Sequence, residues 1–299
     1  MALSVSDPQT VLEQFLRALR TRVDTRLGEL LPGPTHPQDP IAAAMREGTL
    51  APGKRIRPLL LLLALQDFDR LDEGAFDIAC ALEMIHAASL FLDDMPCMDD
   101  ASLRRGRPTI HVQFGEDIAI LAAVALLSHA FSVAACAQGV AHPVRTQMVC
   151  LLSQAIGSQG LVRGQYFDLR EGRQQRPLDA IANANQLKTG SLFTAALEMA
   201  ALFARCDVRQ RNLLRGFAVE LGHAFQLLDD LDDSMSSQQT GKDSGKDDGK
   251  STVISLLGAD ATRQLLKEHV RYAEDHLARL GLAGGLLSQL LDRLFARAR

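Results

Sequence analysis

HAASLFLDDMPCMDD, residues 86–100, is the stretch from which the rest of this chain is read. Its first half continues a long apolar run with residues repeating at three- and four-residue spacing, the period of a helix. Its second half sets four carboxylates, Asp93, Asp94, Asp99 and Asp100, within eight residues. Pro96 ends the helix near Asp94 and sends Asp99 back from a short loop. A single Asp-Asp pair at a helix end is commonly just solvated. Here four like charges gather at a helix C-terminus, the negative end of the dipole, and a cation is what usually maintains such an arrangement. Hard oxygen ligands suit Mg²⁺, which binds few carboxylates and fills its shell with water and substrate phosphates.

The same period runs outward through most of the 299 residues, and no sustained alternation of period two interrupts it. Helices are predicted near 8–30, 40–48, 55–70, 74–95, 115–138, 143–172, 178–205, 208–236, 259–281 and 284–298. Four prolines in 31–40, the polar stretch 99–109 and the Gly/Lys/Asp segment 236–251 separate them. Hydrophobic residues make up 47% of the chain and aromatics 5%, with no tryptophan, a mix that favours helices over sheets. No solenoid repeat or long linker appears, so 1–299 reads as a single all-α domain. The net charge of −4 argues against a nucleic-acid surface. Five scattered cysteines form no CxxC pair and read as reduced thiols. The N-terminus lacks a signal-peptide pattern. Residues 118–137 are free of charge and long enough to span a bilayer, but no second such segment is apparent. They are expected to form a buried central helix of a large bundle, in a cytoplasmic protein with no membrane span.

A second carboxylate cluster, QLLDDLDD (residues 226–233), closes another apolar helix. Asp229 and Asp233 share a face, and Gln226 lies one turn earlier on it. Lys242, Lys246 and Lys250 follow. Behind the first cluster comes LRRGRPT (103–109), whose Arg104 and Arg105 are of the type that clamps phosphate two oxygens at a time. Lys54 and Arg57 in GKRIRP (53–58) stand at a helix start, where cations oppose the dipole and an anion would relieve the cost. Lys188 and Thr189 interrupt an apolar helix; alone, Lys188 is as readily a surface lysine. His86, about two turns before Asp93, is by itself more readily a core histidine. No Ser-His-Asp or Cys-His set is evident.

Together these motifs resemble the trans-type isoprenyl diphosphate synthases. The first cluster with its trailing RRG and PT resembles DDxxxxD, and the second resembles DDxxD. GKRIRP, GQYFDL (164–169), LKTGSLF (187–193) and the segment ending GKST (249–252) resemble further family motifs, in family order from about residue 53 to 257. The stretch around residues 83–109 looks closest to bacterial geranylgeranyl diphosphate synthases. Pro52, where the family usually has glycine, is a departure expected to shift that loop. The resemblance implies an all-α bundle around a deep central cavity, usually a homodimer. It implies three Mg²⁺ ions bridging an allylic diphosphate to Asp93, Asp94 and Asp99 on one side and Asp229, Asp230 and Asp233 on the other. It assigns Arg104, Lys188, Thr189, Gln226, Lys242 and Lys250 to the allylic substrate, and Lys54, Arg57, His86 and Arg105 to isopentenyl diphosphate.

The implied chemistry is ionisation, condensation and elimination. The allylic C–O bond ionises, the isopentenyl double bond attacks the cation, and a proton is lost to the released diphosphate. The growing chain is expected to run down the helix of the first cluster, past Ala88 and Ser89. Family members that stop at C15 tend to carry a bulky aromatic at the position of Ala88. Two small residues therefore predict a C20 product, geranylgeranyl diphosphate. A C15 farnesyl diphosphate synthase is the nearest alternative. A non-catalytic subunit would typically lose the second cluster, and a terpene cyclase would carry an Asn/Ser/Glu metal motif that is not seen.

Overall fold

The computed structural model describes residues 8–33, 36, 39–172, 174–234 and 251–296. The long helices follow the predicted pattern: α1 (Pro8–Leu30), α2 (Pro40–Leu50), α3 (Ile56–Asp67), α4 (Glu73–Asp93), α6 (Glu116–Cys136), α7 (His142–Ile156), α8 (Leu161–Glu171), α10 (Ser191–Phe203), α11 (Val208–Ser234), α13 (Ala259–Leu280) and α14 (Leu286–Leu294). Their ends have local causes. Asp39 accepts from the Ala42 N–H with Pro40 at the first turn of α2, and Asp72 caps α4 through Ala75. Gly281 adopts the left-handed conformation that stops α13.

Three differences from the sequence pattern matter. The predicted 143–172 helix is broken between α7 and α8, where Gly157 and Gly160 lie so close to the end of α7 that a Cβ would meet backbone oxygens. The predicted 178–205 helix is α9 (Leu178–Asn185), a π-helical turn (Gln186–Gly190) and α10. Short helices α5 (Ile110–Phe114) and α12 (Val253–Leu257) and a small hairpin, β1 (Leu103–Arg104) with β2 (Arg107–Pro108), fill stretches read as loops.

The centre of the bundle is α3. Residues 59–65 are buried without a break, so this helix is apolar all round and enclosed. It packs between α4 and α10; α10 packs on α7 and α11, and α11 on α13. The expectation of a buried central helix at 118–137 is corrected: α6 packs on α4, α2 and α7, yet only 39% of its apolar window is buried. Ile120, Leu121 and Val124 are 44%, 50% and 59% exposed, because the alanine face of α6 alone is used against α4. A second charge-free run of that length is absent from the sequence, but α4 is also long and apolar overall while carrying Asp77 and Glu83. The α4 helix passes the same length and hydropathy test, and 78% of its window is buried in the core.

One distant tie holds the far end of the bundle. The Asp67 carboxylate, at the C-terminus of α3, accepts from the Leu286 and Leu287 N–H groups at 2.8 and 2.9 Å and so caps α14. Asp67→Ala leaves those donors unpaired and is expected to cost about 1–2 kcal/mol, read as a lowered urea midpoint. An unchanged midpoint would show that α14 does not depend on this cap.

Candidate active site

The first carboxylate cluster is shaped by the way α4 ends. After Asp93 the chain folds back on itself: the Asp99 N–H donates to the Asp93 carbonyl at 2.9 Å and the Ala101 N–H to that of Asp94 at 3.1 Å. Asp99 thereby returns beside Asp93, as Pro96 led one to expect. Burial pushes the Asp93 carboxyl up to about 6; Asp99 and Asp94 add to the rise, and Lys188 and Arg104 oppose it. Asp94 is placed differently. Its side chain is buried, and Arg104 grips it through Nε at 2.8 and 2.9 Å and through Nη2 at 2.5 Å.

The arginines are presented by the hairpin. Its turn uses Arg105 and Gly106, both at positive φ (55° and 74°), which sends neighbouring side chains to opposite sides. Arg104 reaches Asp94, while Arg105 Nη1 donates to the Pro52 carbonyl at 3.1 Å. The Arg105 guanidinium lies so near Gly53 that a Cβ there would meet Nη1 at 2.5 Å. Two basic motifs fifty residues apart in sequence thus form one wall. Pro52 fits this wall because only its carbonyl is used.

Below the wall, Arg57 Nη1 donates to His86 Nε2 at 3.2 Å and stacks 5.0 Å from the Phe193 ring. A guanidinium only donates, so Nε2 accepts and the imidazole carries its proton on Nδ1. Burial holds His86 well below its ordinary value, with Arg57, Arg105, Arg104 and Arg55 adding to the effect. Burial also lowers Arg57 to about 10 despite Glu83 and Asp229. Positive charge that bonds no carboxylate directly, in a partly desolvated recess, is the condition for holding an anion. Lys54 is exposed in the adjoining loop.

The opposite wall is the π-helical turn. Its wide turn displays Lys188 and Thr189, and glycines allow its neighbours to close on it. A Cβ on Gly164 of α8 would lie 2.2 Å from the Lys188 nitrogen, and one on Gly222 of α11 would lie 3.2 Å from the Gly190 Cα. Lys188 Nζ donates to Asp168 at 2.7 Å. Burial works against its charge, but Asp168, Asp93 and Asp99 more than reverse this, and its pKa is raised. Thr189 Oγ1 donates to Gln226 Oε1 at 3.2 Å, and Gln226 Nε2 donates to Asp230 Oδ1 at 3.0 Å.

The two clusters therefore converge through their cations: Lys188 senses Asp93 and Asp99, and Arg57 senses Asp229. The Asp233 side chain, Lys242, Lys246 and Lys250 lie outside the described residues. Among the described residues, no three His, Cys, Asp or Glu side chains form a cage that would hold an ion alone. Paired carboxylates facing a basic wall fit Mg²⁺ all the same, since it takes one or two carboxylates and completes its shell with other oxygens. Sequence reasoning missed Asp168, although it lies within the GQYFDL motif. Its only signal was its place one turn after Gly164. Ser89 lies on the His86–Asp93 side of α4, its hydroxyl donating to the His86 carbonyl at 2.8 Å. Ala88 is fully buried, about 140° round the helix from Asp93.

The sequence profile of the polyprenyl synthetase family matches residues 38–280. The geranylgeranyl diphosphate synthase of Pantoea ananas is 54% identical over 258 residues, covering 86% of this chain and 84% of that protein. The farnesyl diphosphate synthase of Geobacillus stearothermophilus is 35% identical, covering 97% of this chain and 99% of that one. A Helicobacter pylori geranyltransferase, solved in complex with magnesium and isoprenyl diphosphate, superposes with a TM-score of 0.84. It is 28% identical and covers 99% of both chains.

Asp93 holds its proton more tightly in the fold than an ordinary carboxyl does. The stability it contributes is full below the ordinary carboxylate range and is lost as pH rises through about 6. In EDTA, Asp93→Asn should therefore stabilise the protein at pH 7.5 by on the order of 1–2 kcal/mol, with the gain shrinking towards pH 5. Paired thermal melts across that range check it; a destabilised variant at pH 7.5 would contradict the crowding.

Proposed function

Since the chain belongs to the polyprenyl synthetase family, we propose that it is a Mg²⁺-dependent prenyltransferase that condenses isopentenyl diphosphate with an allylic diphosphate to give geranylgeranyl diphosphate. The observation that carries this reading is the pairing of two recesses. One sets Asp93 and Asp99 against Lys188, and the other sets Arg57 and His86 under Arg105. A single diphosphate would need only one of them.

In this reading Arg104, Lys188, Thr189, Gln226, Lys242 and Lys250 hold the allylic diphosphate. Mg²⁺ ions, three by the family pattern, would be held by Asp93 and Asp99 on one side and by Asp229, Asp230 and Asp233 on the other, and would neutralise charge on the leaving group. Asp94, already occupied by Arg104, is assigned to orienting that arginine. Lys188, charged and tethered by Asp168, needs little reorganisation as negative charge develops on the departing oxygens. The Thr189–Gln226–Asp230 chain fixes the polar side chains beside the reacting carbon. Lys54, Arg57, His86 and Arg105 hold isopentenyl diphosphate, with neutral His86 able to donate from Nδ1. Packing by the apolar helices excludes water, which would quench the cation. The freed diphosphate takes the proton lost after condensation.

The small side chain of Ser89, on the His86–Asp93 side of α4, supports passage of a C15 chain and hence a C20 product. Arrest at C15 is the second reading. Purified protein incubated with Mg²⁺, isopentenyl diphosphate and each of the C5, C10 and C15 allylic diphosphates should elongate C15 to C20. No turnover with any of them would defeat the proposal. Ser89→Phe, on the open side of the helix, should move the main product towards C15; an unchanged product distribution would remove Ser89 from the wall. The exposed, charge-free stripe of α6 at Ile120, Leu121 and Val124 supports a homodimer, in which a second copy covers this face. Val124→Asp is then expected to shift the light-scattering mass from dimer to monomer.

A further inference from the structure

Between Lys54 and Arg57 stands Arg55, a residue given no role above. Its backbone is left-handed (φ 51°, ψ 36°), an uncommon state for a side chain other than glycine, and it turns the side chain inward. The guanidinium is 2% exposed and meets three helices. Nε donates to Asp24 of α1 at 2.8 Å, and Nη1 donates to Glu83 of α4 at 2.8 Å. Nη2 donates to the Thr49 and Ala51 carbonyls at the end of α2, both at 3.0 Å. Planar donors spent on two carboxylates and two carbonyls fix the position of the backbone that bears them. That backbone is the loop carrying Lys54 and Arg57, whose other edge is held by the Arg105 bond to Pro52.

The two carboxylates differ. Glu83 is enclosed and also acts on Arg57 and Arg105, so it balances charge across the whole basic wall. Asp24 is half exposed and belongs to a helix that precedes the stretch matched by the family profile. Among the described residues, its hydrogen bond and ion pair go to Arg55 alone. Its bond to Nε fixes one edge of the guanidinium, so removing it leaves that donor unpaired and the loop held through Glu83 and the two carbonyls of α2 alone.

We propose that Asp24 on α1 is a positioning residue for the isopentenyl diphosphate recess. Together with Glu83 it locks Arg55, and through Arg55 the loop that presents Lys54 and Arg57. The inference rests on the assignment of that recess made under the proposed function.

The test is steady-state kinetics with each substrate varied in turn. Asp24→Ala should raise KM for isopentenyl diphosphate about fivefold to tenfold. KM for the allylic diphosphate and kcat should stay within about twofold of wild type. Asp24→Asn keeps an oxygen acceptor for Nε and should recover most of the loss. Glu83→Gln should move the same constant further in the same direction. Arg22→Ala, which breaks the exposed Arg22–Glu73 pair on the same helix, should move neither KM. An unmoved KM for isopentenyl diphosphate in Asp24→Ala overturns the inference. So does a parallel rise in both KM values with a lowered melting temperature, which would make Asp24 a brace for the fold only. A wild-type protein that turns over no isopentenyl diphosphate would instead defeat the functional reading on which the inference stands.

Discussion

A lysine ammonium held among the carboxylates of separate elements is the interaction on which this site depends. Lys188 is bonded to Asp168 of α8 and lies within the field of Asp93 and Asp99 at the end of α4. Asp93 is costly where it stands, because burial and repulsion from Asp99 and Asp94 disfavour its charge. The cation relieves the cost without abolishing it, since Asp93 remains raised to about 6. Much of the surrounding architecture serves to bring that one group into position. The helix that carries it widens into a π turn, α8 separates from α7, and Gly164 lets α8 come within a backbone's thickness of residue 188. Rare helical forms of this kind recur at functional sites because they aim a side chain that a regular helix would point elsewhere.

The arginines divide their work by depth. Arg55, enclosed and fully bonded, behaves as framework. Arg104 is committed to Asp94, Arg105 is tied to the loop before α3, and Arg57 shares only a neutral histidine and an aromatic face. The result is a passage from an arginine bonded to two carboxylates in the core to arginines that bond none directly in the recess. An anionic substrate would meet donors already held in place, so less of its binding free energy is lost to ordering side chains. The same residues make the unliganded protein carry an electrostatic cost. That is a common condition of active sites, where local stability and function pull in opposite directions.

Much of this was legible in the residues themselves. The helical period, the two carboxylate clusters and the basic stretches behind them were evident from spacing, and Pro96 foretold the return of Asp99. The break between α7 and α8 was not, because Gly157 and Gly160 in a helical pattern read as tolerated interruptions. The π turn was not legible because a one-residue shift of register within a single turn is lost in an apolar pattern that accepts both three- and four-residue spacing. The place of α6 was misread because an alanine-rich, charge-free helix has the composition of a central one whether one face or all faces are covered.

The sequence alone determined the class of fold and the chemical inventory, because periodicity and residue type are local properties. It fixed which carboxylates and which cations exist and in what order they occur. It did not determine their partners. That Asp94 is taken by Arg104, that Arg55 is framework while Arg57 faces the recess, and that Asp168 and Asp24 belong to the site at all depend on contacts between residues up to 31 positions apart. Such pairings are decided by the packing of α1 and α4 on α3, of α8 on the π turn, and by the return of the hairpin to the end of α4. Spacing along the chain carries no record of which face of one helix will meet another.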